Sequence, residues 1–282
     1  MALCLALTLL GGCSALRIGY NQGADLVYWW LDGYADFDDA QARRARGALS
    51  DWFAWHRRTQ LPEYARLLAR AQADVAADTS PEQICNWWSS IGKRIETSLE
   101  QAIPAAADLM LELTAPQLQH IEQRYAKKNA EFRDDFLNPD PLERRRATVK
   151  RYVDRAESIY GRLDEAQREQ VARMVAASPF DTERWFSERV QRQQDALQMM
   201  RRLTQERADR DQAQAALRAY SNRWTRSPRE DYRRYADTLL QFNCALVAAL
   251  HNSSTPAQRQ AAAQKFKGWE NDARALAADA AR

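Results

Sequence analysis

The residues of this chain best equipped for chemistry are Trp52, Trp55, His56, Arg57 and Tyr64. They lie in the run Asp51-Trp52-Phe53-Ala54-Trp55-His56-Arg57-Arg58-Thr59-Gln60-Leu61-Pro62-Glu63-Tyr64. Aromatic rings, an imidazole and two guanidinium groups this close together can line a groove, with the rings on a ligand and His56 and Arg57 on its anionic group. The same residues can instead fill a core, with Trp52, Trp55 and Tyr64 inside and Arg57 and Arg58 in solvent. A second concentration is basic: Arg144, Arg145 and Arg146 with Lys150, Arg151 and Arg155. Such a ridge can meet anionic lipid or an acidic protein, or it can be a solvated helix face paired with Glu143, Asp154 and Glu157.

Signatures of covalent and metal chemistry are missing. His56, His120 and His251 are far apart in sequence, and none belongs to a His-Glu-x-x-His or Glu-x-x-His pattern. There is no Gly-x-Ser-x-Gly elbow, phosphate-binding glycine loop or Cys-x-x-Cys-His haem motif. Asp134-Asp135 and Asp36-x-Asp38-Asp39 carry enough charge for a hard cation, but adjacent helical residues diverge in direction and read better as caps or solvated faces. No catalytic residue, metal site or cofactor is therefore assigned. A site assembled from distant residues stays open.

One cysteine has a specific expected modification. Leu3, Leu5, Leu7, Leu9 and Leu10 form an apolar run too short to cross a bilayer, ending in Leu10-Gly11-Gly12-Cys13. This resembles a bacterial lipobox, which implies cleavage after Gly12 and lipidation of Cys13. The expected organisation is a signal peptide over residues 1–12, a lipidated cysteine and short tether over 13–24, and a helical periplasmic domain over 25–282. Met1 is the whole charged region of the signal, which reads as a start site placed too late. Ser14 in place of an aspartate favours the periplasmic face of the outer membrane. Tyr28, Trp29, Trp30 and Tyr34 either rest in the headgroup region or pack as a first core helix.

Composition narrows the partners. The chain has 282 residues with 41 basic and 38 acidic side chains, a net charge of +3, which makes nucleic acid a poor partner for an exported protein. Arginine makes up 35 of the basic residues, which suits carboxylate and phosphate recognition or reflects codon bias. Of four cysteines, Cys4 leaves with the signal and Cys13 is consumed by lipid. Cys85 and Cys244 remain, a candidate disulfide in an oxidising compartment, or else two separate buried thiols.

The elements that must position these groups read as helices throughout. Ser80-Pro81-Glu82-Gln83, Thr114-Ala115-Pro116-Gln117, Asp164-Glu165-Ala166-Gln167, Ser227-Pro228-Arg229-Glu230 and Thr255-Pro256-Ala257-Gln258 each place a capping side chain before a helix start. An apolar stripe follows at three- and four-residue steps, Ile84, Trp88, Ile91, Ile95, Leu99 and Ile103, and others continue it: Leu118, Ile121, Tyr125, Phe132 and Phe136; Leu142, Val149, Val153, Ala156, Tyr160 and Leu163; Phe186, Val190, Gln193, Leu197 and Met200; Tyr232, Tyr235, Leu239, Asn243, Leu246 and Leu250. The unequal spacing of the caps disfavours a solenoid. The expected fold is all-α, an irregular multi-helix antiparallel bundle in one domain, with Asn138-Pro139-Asp140-Pro141 as an internal loop and a frayed end from Ala273.

Gly19-Tyr20-Asn21, Trp29-Trp30-Leu31, Trp55-His56-Arg57 through Leu61-Pro62-x-Tyr64, Phe132-Arg133-Asp134-Asp135 and Phe242-Asn243-Cys244, with the lipobox, resemble an uncharacterised family of Gram-negative envelope lipoproteins. The resemblance spans essentially the whole mature chain. It implies a lipoprotein with an all-helical body and brings no activity or site residue. Leu113-Thr114-x-x-Gln117 and Leu163-Asp164-x-x-Gln167 also resemble the Leu-Thr-x-x-Gln motif of small helical periplasmic chaperones of the CpxP and Spy type, a motif that is largely capping chemistry. The expectation is a membrane-anchored, non-enzymatic module that binds an envelope protein. The alternatives are a lipid- or small-ligand-binding module built on Trp52 to Tyr64 and, third, an envelope hydrolase.

Overall fold

Helices account for nearly all of the described residues because their starts are chemically announced and nothing between them alternates like a strand. The structure, a computed structural model, describes residues 15–137 and 140–279. Cys13, the expected lipidation site, and the Asn138-Pro139 part of the expected loop lie outside the described residues. Those described form twelve helices: α1 (Ala15–Asn21), α2 (Gly23–Ala35), α3 (Asp39–Thr59), α4 (Leu61–Asp74), α5 (Pro81–Leu111), α6 (Ala115–Phe136), α7 (Pro141–Tyr160), α8 (Glu165–Ala177), α9 (Thr182–Gln205), α10 (Arg210–Thr225), α11 (Glu230–Asn252) and α12 (Pro256–Ala278). The fold is all-α, as expected.

Ser80, Thr114, Asp164 and Thr255 each close a complete capping box, the cap accepting from the N3 amide while the N3 glutamine accepts from the cap's own N–H. Ser227 does not cap α11. That helix starts at Glu230 without a side-chain cap, because Arg229 is drawn sideways into an ion network. Two further boxes, Asp38 with Gln41 and Asp209 with Gln212, open α3 and α10.

Four of these glutamines also join distant corners of the chain. The Gln41 amide donates to the Glu112 carbonyl (2.9 Å) and the Gln117 amide to the Asp36 carbonyl (2.9 Å), and the two glutamines bond to each other. The second joint repeats the first. Gln167 donates to the Ser253 carbonyl (3.0 Å), Gln258 donates to the Arg162 carbonyl (2.9 Å), and Gln167 bonds to Gln258. In all four cases the carbonyl lies two residues before the partner corner's cap, at a helix C-terminus where intrahelical donors have run out. Apolar clusters back each joint. Ala35, Leu113, Leu118, Ile121 and Leu197 surround the first, and Ala156, Leu163, Val171 and Leu250 the second. Gly161, at φ 76°, ends α7 just before the second joint in a conformation that L side chains resist.

The long helix α5 packs against α3, α9, α10 and α11. Cys85 and Cys244 form a disulfide between α5 and α11, with Cα atoms 5.5 Å apart. Residues on both sides of the proline loop are thereby tied into one body. Helix α12 packs extensively on α4, its start beside the end of α4, so the two run antiparallel. Small side chains (Ala65, Ala262, Ala273) allow the close approach, and Glu270, 4% exposed, takes hydrogen bonds from Gln72, Arg274 and Lys267. Those donors, Gln72 first, hold the Glu270 carboxyl down to about 2.

Three expectations need correction. Residues 15–24, expected as tether, are helical from Ala15 and fixed to the body: Arg17 pairs with Asp279, and Tyr20 bonds to His56. The alanine-rich end does not fray at Ala273. Helix α12 continues to Ala278 because Leu276 is fully buried. Finally, the α5 stripe is not a core stripe along its length. Ile103 is buried, but Trp88, Ile95 and Leu99 are exposed, since the neighbouring helices leave that side of α5 uncovered.

Two substitutions test the first joint, and one reduction tests the disulfide. Gln117→Ala removes a buried reciprocal donor and should lower unfolding free energy by about 2 kcal/mol in urea titration. Gln117→Glu keeps the cap acceptor but cannot donate to the Asp36 carbonyl, so it should be no milder. Reducing the Cys85–Cys244 bridge should cost about 2–4 kcal/mol by the same assay.

Candidate functional site

Helix α7 presents one face to a large cleft. Arg144, Thr148, Arg151 and Tyr152 follow helical spacing along that face. The cavity measures about 1040 Å³ and opens between the end of α6, α7, the end of α8, the start of α9 and the middle of α11. Its floor includes Leu239, Asn243 and Leu246 of α11, and the Tyr152 hydroxyl donates to Asn243 Oδ1 at 3.3 Å. One wall is aromatic. Phe132 stacks on Phe136 (ring centroids 4.7 Å apart), Trp185 (5.1 Å) and Phe186 (5.3 Å), because α6 and α9 bring these rings together. Guanidinium groups sit over the rings: Arg151 over Phe136, Arg189 over Phe132 and Arg133 over Phe186.

The rim is charged on both sides. Arg144, Arg145 and Arg151 line it with the acids Asp135, Glu143, Asp181 and Glu183. The basic ridge is therefore divided by helical geometry. Lys150, two positions beyond Thr148, turns away from the cleft and pairs with Asp154 at 2.6 Å. Hydroxyls in the cleft serve the fold: Thr148 donates to the Arg144 carbonyl, and Ser178 accepts from the Phe180 amide. No histidine lines the cavity. Leucines and Asn243 on the floor, stacked rings on one wall and a rim of mixed charge give the cleft an amphipathic lining.

Beside the α9 wall, Glu188 is buried and accepts from Arg229 (2.7 Å) and Arg192 (2.9 Å), while Arg229 also reaches Asp195 (3.1 Å). Burial by itself would raise the Glu188 carboxyl, but the bonds from Arg229, Arg192 and Ser227 outweigh it and hold the group below its ordinary range. This network locks α9 to the start of α11.

The Trp52–Tyr64 run folds into a different place. Trp52 stacks on His56 with centroids 4.9 Å apart and donates through Nε1 to the Ser98 carbonyl (2.9 Å). Tyr64 and Trp55 flank the same imidazole, and Tyr20 reaches in from α1, its hydroxyl 2.7 Å from His56 Nδ1. His56 is 8% exposed. Burial pushes its pKa down to about 4 and the Tyr20 hydroxyl up to about 12, so a neutral imidazole faces a protonated phenol. Arg57 lies over the Tyr20 ring and donates to Asn21 Oδ1 (2.8 Å). The five residues singled out from sequence are thus brought together, packed ring on ring where α1, α3, α4 and α5 meet. His251 is held from both ring nitrogens: its Nε2 donates to the Ala77 carbonyl (2.7 Å), and its Nδ1 lies 2.9 Å from the Tyr160 hydroxyl. His120 approaches the Gly33 carbonyl at 3.4 Å. Among the described residues no cluster of three or more histidine, cysteine or acidic side chains could hold a metal ion.

Sequence reasoning found the arginines of the cleft but missed its aromatic wall. Phe132 and Phe136 show as stripe residues, but Trp185 carries no signal of its own and meets them only through the α6–α9 packing.

Fold and cleft define a class no finer than an all-helical protein with an open cleft lined by aromatic and charged side chains. The chain belongs to DUF6279, a family of unknown function, which it matches over residues 33–233. No curated protein and no solved structure matches it.

The buried imidazole yields a pH dependence. His56 titrates near 6.5 when unfolded and about 4 when folded, so its contribution is complete above pH 6.5 and lost as pH falls towards 4. Wild-type stability should drop by about 2–3 kcal/mol between pH 7 and pH 4.5. Most of that slope should vanish in His56→Phe, read by urea unfolding at both pH values.

Proposed function

We propose that this protein is an envelope lipoprotein, anchored through Cys13 at the periplasmic face of the outer membrane, that binds a partner protein non-covalently. The partner presents an amphipathic segment with carboxylates for Arg145 and Arg151 and cationic groups for Asp135, Asp181 and Glu183. The lipobox supports the anchor and the location. The observation that carries the binding role is the 1040 Å³ cleft, whose α7 wall offers Arg144, Arg145 and Arg151 beside the stacked rings of α6 and α9. Arginine beside apolar surface suits a segment that combines acidic and apolar side chains. The wide mouth suits a peptide better than an enclosed small molecule.

Position-specific photo-crosslinking in intact cells tests the reading. A benzophenone side chain replacing exposed Phe180 at the cleft should yield a discrete protein adduct. The same side chain replacing exposed Trp224 on α10 should not yield it. Reversing charge with Arg145→Glu and Arg151→Glu should weaken the adduct at Phe180. Equal adducts at both positions, or none at Phe180, overturn the assignment.

A further inference from the structure

The N-terminal helices carry an apolar face that the body leaves uncovered. Backbone bonds continue through the α1–α2 junction, with the Gln22 amide donating to the Ile18 carbonyl (3.2 Å) and the Leu26 amide to the Gln22 carbonyl (3.0 Å). Gln22, at φ −88° and ψ 0°, is the one residue between the two helices. Leu16 and Ile18 are the large aliphatic side chains of α1, and at 3.6 residues per turn Leu26, Trp29 and Trp30 fall on one half of α2. These five are 45%, 56%, 51%, 60% and 61% exposed. No Asp, Glu, Lys or Arg of α2 falls in that half. Asp25 and Asp32 lie at its edges and turn back to the body, Asp25 to Arg46 (3.3 Å) and Asp32 to the Phe37 amide (3.1 Å). The opposite half, with Tyr28 and Ala35, packs on the remaining helices, as does Tyr20 of α1.

We infer that this face is a membrane-docking surface that seats in the headgroup region of the bilayer holding the lipid on Cys13. The inference rests on the anchor reading of that cysteine. Only two residue steps, at most about 7 Å of chain, separate Cys13 from the first residue of α1. Helix α1 is itself clamped to the body through Arg17–Asp279 (3.7 Å), Tyr20–His56 (2.7 Å) and Arg57–Asn21 (2.8 Å). A lipid attached so close to a clamped helix brings the bilayer to this end of the molecule. Paired tryptophans on an uncharged, apolar helix face match the chemistry of that interface. The body then lies against the membrane on α1 and α2 instead of swinging on a tether.

The test uses full-length lipidated protein in vesicles of phosphatidylethanolamine and phosphatidylglycerol. An environment-sensitive fluorophore is placed through Trp30→Cys or Lys150→Cys, and lipids brominated in the upper acyl chain act as quencher. Quenching at residue 30 should exceed that at residue 150 by about threefold or more, with a blue shift on vesicle addition. Acylated Cys13 by mass spectrometry with no quenching at residue 30 overturns the docking face and leaves the anchor standing. Absence of the acyl mass overturns both. Quenching at residue 150 instead of residue 30 gives membrane contact to the basic ridge. A blue-shifted label at residue 30 without vesicles, in a species of twice the mass, gives the face to a second copy of the chain. Either outcome overturns the inference.

Discussion

A helix that ends inside a protein leaves carbonyl groups without donors, and satisfying them is the constraint on which this architecture depends. The chain answers it with glutamine at the third helical position. Its amide oxygen accepts from the cap of its own helix, leaving the NH2 group free to donate to a carbonyl at another helix's end. Gln41 and Gln117 do this for each other's corners, and Gln167 and Gln258 do the same elsewhere. Asparagine is too short to span both partners, and glutamate has no donor. Each joint therefore specifies which two helix–helix corners meet as well as where each helix starts.

With the corners paired, the rest of the bundle follows from what lies between them. The first joint sets α2 and α3 against the α5–α6 corner, and the second sets α7 and α8 against the α11–α12 corner. Helix α5 bridges the two regions, tied to α11 by Cys85–Cys244 and bordered by α10. The cores beside the joints are small, and alanine is prominent in them. Specific polar bonds and close alanine contacts consequently carry much of the definition that a larger protein would take from large apolar side chains.

The same arrangement separates two kinds of aromatic cluster. Around His56 the rings pack on one another and bury the imidazole, which lowers its pKa, so that cluster clamps α1 to the body. Around Phe132 the rings form one wall of an open cleft, because α7 stands away from α9 and meets α11 through Tyr152 and Asn243. Arginines border both, over Tyr20 in the first and over Phe132, Phe136 and Phe186 in the second. The stacked wall of the open cleft is available to a ligand, while the rings around His56 are committed to each other.

The all-helical class, four of the five expected caps and the Cys85–Cys244 pairing were legible in the sequence, because each depends on local spacing or on the count of remaining cysteines. The Trp52–Tyr64 run was legible as a cluster but not as a half-buried clamp on α1 around His56, since that depends on α1 and α5 arriving from elsewhere. Periodicity marked Trp88, Ile95 and Leu99 as apolar without saying whether a neighbour would cover them, and none does. Arg144, Arg145, Lys150 and Arg151 looked alike in sequence. Only the packing of α7 on α8 and α12 turned three of them to the cleft and Lys150 away. Local chemistry determined where helices begin because a cap and its N3 partner lie within one turn. Tertiary structure alone decided which faces are buried, since that requires contacts between residues tens to hundreds of positions apart.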